Sequence, residues 1–309
     1  MENLEKTTYD LVIVGTGPAG LTASIYASRY KIKTLALGSF PGGLVNEAHR
    51  ICNFPSEADI SGAELADKFF KNAISQGGEI KNEEVLDVRK DGEIFLVSTK
   101  KNTYSARSVL LSFGMKHRKL GLDREYDFLG KGISYCATCD GMFSKGKVVA
   151  VVGGNDSALT AALYLAEIAE KVYLVHRGKE FRGERVWIDK VLEHKNIEVM
   201  FETNVKEFLG DKKLEGVRLD KSRNGSDELP AKGLFVEIGS EPDYKEYIAA
   251  LGIKLTKNNF IEVAQDQKTS APGIWAAGDI TNASNGFRQI ITACSEGAIA
   301  AEDISKNLR

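Results

Sequence analysis

The chain has 309 residues, 41 basic against 43 acidic, for a formal net charge of −2. At roughly 100–200 residues per domain that length predicts two domains, each with its own core, and the near-neutral balance excludes the broad positive footprint of a nucleic-acid or anionic-membrane binder. No apolar run approaches the ~20 residues of a spanning helix, and Met1-Glu2-Asn3-Leu4-Glu5-Lys6 lacks the basic-then-apolar form of a signal peptide, so a cytoplasmic location is expected.

In chain order, residues 10–14 form a short apolar run that ends in glycines and predicts a strand. Residues 18–30, with Leu21, Ile25 and Tyr26 on one side, predict a helix. Residues 34–38 give a second strand at βαβ distance, and 60–76 a helix with Leu65, Phe69, Phe70 and Ile74 at helical spacing. Residues 79–114 read as a meander that ends in a buried strand. At Lys147 the same grammar restarts, with a strand over 148–152, a helix over 156–170 and a strand over 172–175. This is an internal repeat of architecture, the first glycines lying 138 positions apart (153 − 15). A third apolar strand at 234–238 is followed by an exit turn at Gly239 and Pro242. A strand-like 273–279 and a closing helix over 288–307 complete the chain, with no long linker between domains.

Between the first strand and helix stands a full GxGxxG, from Gly15 through Gly17, Pro18 and Ala19 to Gly20. The glycines permit a tight turn, close approach of a pyrophosphate and close helix packing, and the helix N-terminus offers partial positive charge. An acid that holds a ribose hydroxyl is expected about 20 residues on, but the second strand ends in Gly38, so the ribose must be held otherwise. The second turn carries Gly153, Gly154, Asn155, Asp156, Ser157 and Ala158, with Asn155 where the middle glycine would admit phosphate. Asparagine tolerates positive φ better than most residues, which would keep the site usable. The alternative is a strand–helix turn that has lost its ligand. After the following strand come His176, Arg177, Lys179, Arg182 and Arg185, where an enzyme selecting NAD would carry an acid. Positive charge there suits a 2′-phosphate and hence NADPH, the other reading being a solvated basic turn.

Four cysteines, at 52, 136, 139 and 294, are too few for a disulfide scaffold, which favours a catalytic reading of the one close pair. Cys136 and Cys139 can close a disulfide, whereas zinc would need a second pair of ligands and the other cysteines are single and distant. Asp140, next to the second sulfur, reads as a carboxyl of raised pKa that moves a proton, as a helix cap, or as both. Cys52 and Cys294 are expected as buried apolar fillers.

The order GTGPAG, CATCDG, a second nucleotide turn, HRxxxxFR-like basic residues, AAGD and FRQ closely resembles the low-molecular-weight thioredoxin reductases over nearly the whole chain. The resemblance implies an α/β fold of two Rossmann-like, three-layer nucleotide-binding domains. An FAD domain (1–115 and 243–309) would be interrupted by an NADPH domain (116–242) that carries the redox disulfide. It further implies that residues 15–20 bind the ADP half of FAD and that Gly38, Gly42, Gly43, Asn53 and Gly114 line the cofactor. Asp279, after Gly278, would hold the ribityl chain, with Arg288, Gln289 and Ile290 at the isoalloxazine end. By the same carry-over Cys139 faces the flavin, Cys136 attacks the disulfide of a thioredoxin, Asp140 donates the proton, and the enzyme is a homodimer. The chain departs from the family pattern at Asn155, at Gly178 after Arg177, at Ser112-Phe113-Gly114 and at Leu44 after the paired glycines. The first two departures motivate an alternative donor, ferredoxin or a reduced flavin. A further alternative is a flavin-bound redox sensor that seldom turns over.

Overall fold

The computed structural model describes residues 8–223 and 225–308, apart from the Arg223 side chain; Met1 to Lys6, read above against a signal peptide, lie outside the described residues. Strand β1 (Thr8–Val14) runs into α1 (Pro18–Arg29), and β2 (Thr34–Gly38) returns parallel to β1 with Leu11 opposite Thr34 and Val14 opposite Leu37. Helix α2 (Gly62–Ser75) begins later than its apolar spacing predicts because Ser61 caps it. The Ser61 hydroxyl accepts the Glu64 N–H at 3.3 Å while the Ser61 N–H donates to the Glu64 carboxylate at 3.2 Å, a reciprocal box that sets the first turn. The expected meander is β3 (Glu79–Asn82), β4 (Val85–Asp91), β5 (Ile94–Thr99) and β6 (Thr103–Leu111). Only β4, β5 and β6 pair antiparallel; β3 pairs parallel to β2, and β6 parallel to β1.

The chain then builds β7 (Met115–His117), β8 (Ile133–Ser134), α3 (Ala137–Asp140), β9 (Val148–Gly153), α4 (Asp156–Ala166), β10 (Lys171–Val175), α5 (Arg185–Glu193) and β11 (Ile197–Met200). Helix α4 stops short of the predicted 170, because beyond it the backbone is claimed from elsewhere: Gly146 N–H donates to the Ile168 carbonyl at 3.0 Å, and Glu170 N–H to the Lys147 carbonyl at 2.9 Å. Three antiparallel strands follow that the sequence reading leaves unassigned: β12 (Val205–Leu209), β13 (Gly216–Arg223) and β14 (Ser226–Pro230). Strands β15 (Leu234–Glu237) and β16 (Ser240–Pro242) precede the return, which consists of α6 (Glu246–Ala250), β17 (Ile274–Ala276) and α7 (Ile290–Asn307).

Two compact units result, one from residues up to Asn46, 51–116 and Pro242 onward, the other from 47–50 and 117–241. Membership of 47–50 in the second unit is not foreseen from sequence.

In the first unit the sheet order is β3-β2-β1-β6-β5-β4, with β17 added beside β6 in parallel. Alternation along β1 sends Leu11 and Ile13 into the core under α1 and α7, and Val12 and Val14 into the opposite core with Val97, Val109 and Tyr247. A sheet buried on both faces needs such a near-continuous apolar strand. Helices α1 and α7 pack closely through small residues: a Cβ on Gly297 would collide with the Ala19 carbonyl. In the second unit the parallel sheet runs β11-β10-β9-β15-β8. Val149 and Val151 face α4, whereas Ala150 and Val152 pack with Phe208, Val217 and Leu219 of the antiparallel strands, so the third layer here is a small sheet rather than helices.

Candidate functional site

In the first unit, the turn between β1 and α1 is shaped by contacts that only glycine allows. Gly15 sits at φ +113°, and a Cβ there would strike the Ser112 carbonyl at the end of β6; one on Gly20 would strike the Gly15 carbonyl. Ser112 is buried and its hydroxyl lies 3.2 Å from the Val14 carbonyl and 3.1 Å from that of Gly15, so this departure from the family pattern ties the turn to the neighbouring strand. Gly17, by contrast, has open space beside it and caps α1 without any side-chain hydrogen bond, which leaves the first amides of the 12-residue helix available to an anion. That arrangement fits a dinucleotide pyrophosphate. Gly38 lies against Thr16, whose hydroxyl occupies the place of a side chain at the strand end, which explains the missing acid. The Gly42 N–H donates to the Thr16 carbonyl at 2.7 Å, and Gly42 and Gly43 both take positive φ, bringing the paired-glycine turn alongside the first. Gly114, also at positive φ, borders open space.

At the return of the chain, Gly278 turns the backbone after β17 and places Asp279, whose carboxyl is pushed up to about 6 by burial and the nearby Glu296, against the pull of Arg288. Arg288 donates from Nε to the Asp279 carbonyl at 3.2 Å, and its guanidinium lies 3.9 Å from the Phe260 ring centre. The Asn53 amide donates to Gln289 Oε1 at 3.1 Å, so these two residues, distant in sequence, meet in one unit. Gln289 caps α7 in a reciprocal box with Thr292, which leaves Arg288 outside the helix and Ile290 as its first residue, later than the predicted 288. The buried Glu296 was missed by sequence reasoning. It accepts the Gly278 N–H at 2.7 Å, the Thr281 hydroxyl at 3.0 Å and the Ser284 hydroxyl at 2.6 Å, and so holds the whole Asp279 turn. The signal was a lone acid in the small-residue stripe of the closing helix.

In the second unit, Gly153 carries the positive φ of the turn, and Asn155 is extended at φ −101°, so the tolerance of asparagine for positive φ is not called upon. Asn155, Asp156 and Ser157 are exposed at the start of α4, with no side-chain cap, while Ala158 is buried against it. His176 is 8 % exposed and packs on Gly154 and on Phe181 and Phe201; its Nε2 lies 3.0 Å from the Glu180 carbonyl. Burial holds the imidazole below its ordinary pKa, so this residue is a support beneath the turn rather than an outward cation. Arg177 and Arg182 are exposed. The loop they belong to closes over the turn: Arg182 N–H donates to the Gly154 carbonyl at 2.8 Å, and Glu184 N–H to the Asp156 carboxylate at 2.6 Å.

Cys136 and Cys139 form a disulfide, with Cα atoms 5.3 Å apart. Cys136 caps α3, its Sγ accepting the Cys139 N–H at 3.0 Å; Cys139 is exposed. Asp140 makes no capping bond, which removes the helix-cap reading. Its carboxylate instead accepts the Ser134 hydroxyl at 2.7 Å, and the Ser134 oxygen accepts the Cys136 N–H at 3.0 Å, so Ser134 joins the acid to the cysteine turn. No local pattern marks Ser134 in the sequence. Asp140 also lines a cleft of about 860 Å³ with Phe143, Lys131, Lys147, Lys213 and Lys232, which gives its carboxyl access to solvent protons. Of the other cysteines, Cys52 is exposed, contrary to expectation, and Cys294 is partly buried, its thiol pushed up by desolvation. Among the described residues no helix is long and apolar enough to cross a membrane.

The chain matches the pyridine nucleotide-disulphide oxidoreductase family over residues 9–297. A thioredoxin reductase of Listeria innocua is 35 % identical over 305 residues, covering 98 % of this chain and 94 % of that protein. Among solved structures, a thioredoxin reductase of Lactococcus lactis aligns with a TM-score of 0.90 at 32 % identity, over 97 % of this chain and 99 % of that one. A ferredoxin-flavin thioredoxin reductase of Clostridium acetobutylicum aligns at 0.52 with 35 % identity, over 97 % and 98 %.

Proposed function

We propose that this chain, which belongs to the low-molecular-weight thioredoxin reductases of the pyridine nucleotide-disulphide oxidoreductase family, passes electrons from NADPH through FAD to the Cys136–Cys139 disulfide and on to a thioredoxin. The observation that carries this reading is the cysteine pair at the start of α3, with Asp140 hydrogen-bonded through Ser134 beside it. FAD, when bound, supplies a two-electron relay between a hydride donor and a disulfide. Its pyrophosphate would lie on the uncapped start of α1, with Gly15, Gly17, Pro18, Ala19 and Gly20 around it. Gly38, Gly42, Gly43, Asn53, Gly114, Gly278, Asp279, Arg288, Gln289 and Ile290 would complete its site. NADPH would take the residues 153–158, with Arg177 and Arg182 toward its 2′-phosphate.

In the reduced pair, Cys136 attacks the disulfide of the partner and forms a mixed disulfide, releasing one partner thiol. Cys139 then attacks Cys136, restores the internal disulfide and releases the second partner thiol. Asp140 delivers a proton to a leaving sulfur, and the Ser134 bond orients it. A homodimer is proposed on the family resemblance alone, and a cytoplasmic location on the sequence reading of its start and apolar runs.

Turnover of NADPH with thioredoxin and a dithiol reporter tests the proposal: Cys136→Ser should abolish it, and retained turnover would refute the assignment. A second reading, with reduced ferredoxin as donor, is favoured by Asn155 and Gly178 and by the loop hydrogen-bonded across the second turn. The relative from Clostridium acetobutylicum, named for ferredoxin, points the same way. Anaerobic titration separates the two: a flavin bleached by reduced ferredoxin but not by NADPH supports the second.

A further inference from the structure

The loop from β17 to α7 carries Asp279 near its start and Arg288 and Gln289 at its finish. Its middle is strained: Ser284, Asn285 and Gly286 take φ of +52°, +52° and +73° in succession, and the first two bear a Cβ. Such a run costs conformational free energy and persists where neighbouring bonds over-determine it. Those bonds come from two residues four positions apart on one face of α7. Thr292 Oγ1 accepts the Gln289 N–H at 3.0 Å and lies 2.8 Å from the Phe287 carbonyl, which fixes the end of the loop. Glu296 fixes the rest. One of its oxygens accepts the Gly278 N–H at 2.7 Å and the Thr281 hydroxyl at 3.0 Å, and the other accepts the Ser284 hydroxyl at 2.6 Å. Arg288 closes the loop on itself, donating from Nε to the Asp279 carbonyl and from Nη1 to the Gly286 carbonyl, both at 3.2 Å.

We infer that Glu296 is the positioning residue of the flavin loop: by tethering Gly278, Thr281 and Ser284 together, it sets the spacing of Asp279 and Arg288 before FAD arrives. The inference rests on the reading of this loop as part of the FAD site. Glu296 is 5 % exposed, and among the described residues no cation pairs with it, so the three loop donors are what stabilise its buried carboxyl. The dependence runs both ways. Moving the loop would strip a buried acid of its partners, and removing the acid would leave one N–H and two hydroxyls without their acceptor at once. A loop held in this way loses little freedom when the cofactor binds, whereas a loop that must be ordered by the cofactor subtracts that entropy from its affinity. Glu296 acts through the loop, because both of its oxygens are already engaged by loop donors.

The test uses the full-length protein loaded with FAD. Release is followed by the gain of flavin fluorescence on dilution, and affinity by rebinding FAD to the same protein stripped of it. Glu296→Ala should weaken FAD binding by about tenfold or more, mainly through faster release, and Ser284→Ala by roughly threefold. Glu296→Gln should return to within about threefold of the unaltered protein, because its amide oxygen still accepts from Gly278 and Thr281 while its NH2 donates to the Ser284 oxygen. Adding Ser284→Ala to Glu296→Ala should cost nothing further, since the two changes remove one shared bond. Ser284 is exposed, so its variant keeps the fold and decides the matter should Glu296→Ala not fold. Unchanged FAD affinity in Ser284→Ala or Glu296→Ala overturns the inference. So does a Glu296→Gln protein as weak as Glu296→Ala, which would make charge rather than position the cause. Those outcomes leave the FAD reading standing, whereas an unaltered protein that takes up no FAD refutes that reading and the inference with it.

Discussion

The two nucleotide turns of this chain follow one plan and differ in what surrounds them. The turn of the first unit is held from behind, by Ser112 and the close packing at Gly15 and Gly20, and its outer side at Gly17 is open. The turn of the second unit is held from both sides: His176 packs beneath Gly154, and the backbone of Arg182 and Glu184 is bonded across it. A strand–turn–helix motif thus specifies a place for phosphate, while the neighbouring loop decides how accessible that place is. The same contrast appears in the acids at the strand ends. Asp279 follows β17 and Glu237 ends β15, each a half-buried carboxyl beside its turn, but the first is pushed up to about 6 and the second to about 8.

The sharpest test of this contrast separates electron entry from exit. Cys136→Ser should lower thioredoxin reduction by about a thousandfold or more while the flavin remains bound and reducible, measured by turnover and by flavin absorbance. A variant that loses its flavin as well would show that the two units do not work as separate halves. Next in size is the first turn itself. Gly15→Ala forces a Cβ into the Ser112 carbonyl at a left-handed φ, and should cost about 1–3 kcal/mol of stability together with most of the bound flavin. Gly17→Ala, with open space around it, should leave the apoprotein melting temperature unchanged and weaken only the cofactor. Equal destabilisation by the two changes would remove the distinction between the held and the open side.

For the second turn, Asn155→Gly should lower the KM for NADPH several-fold if loss of the middle glycine is what limits nucleotide binding. An unchanged KM would place the limit in the loop bonded across the turn. The smallest effect concerns pH. An acid whose folded pKa is raised stabilises the fold fully below its unfolded pKa and loses that contribution as pH rises through the folded value. Asp279 should therefore withdraw up to about 3 kcal/mol between pH 4 and about 6, and Glu237 the larger amount of up to about 5 kcal/mol by about pH 8. In melting curves of the apoprotein, Asp279→Asn should flatten the slope below pH 6 and Glu237→Gln the slope above it. Slopes that neither change alters would contradict the burial argument.

How far the sequence reaches can be judged from particular residues. The residues 15–20 and 136–140 were legible because glycine and cysteine at fixed spacing have few other uses, and β1, β2, β9 and β10 were legible because sheets covered on both faces need unbroken apolar runs. The paired role of Asn53 and Gln289 came only through family resemblance, since no local pattern joins residues so far apart. Strands β12 to β14 escaped because they are short and half polar, with one face on the core and one in water. His176 was misread for a related reason: a histidine beside arginines looks like part of a cationic patch, and only the packing of Phe181 and Phe201 shows that it points inward.

The placement of β17 and α7 has a consequence for how the protein is made. The sheet that begins at Thr8 is completed only by Ile274–Ala276, and the small-residue side of α1 at Ala19 closes against Gly297 of Ile290–Asn307. On a ribosome adding ~5–20 residues per second, the second unit emerges whole while the first still waits for its last strand and helix. The unit whose strands come first in this chain is thus the unit completed last, and its nascent apolar surface must be shielded for the time it takes to translate everything inserted within it.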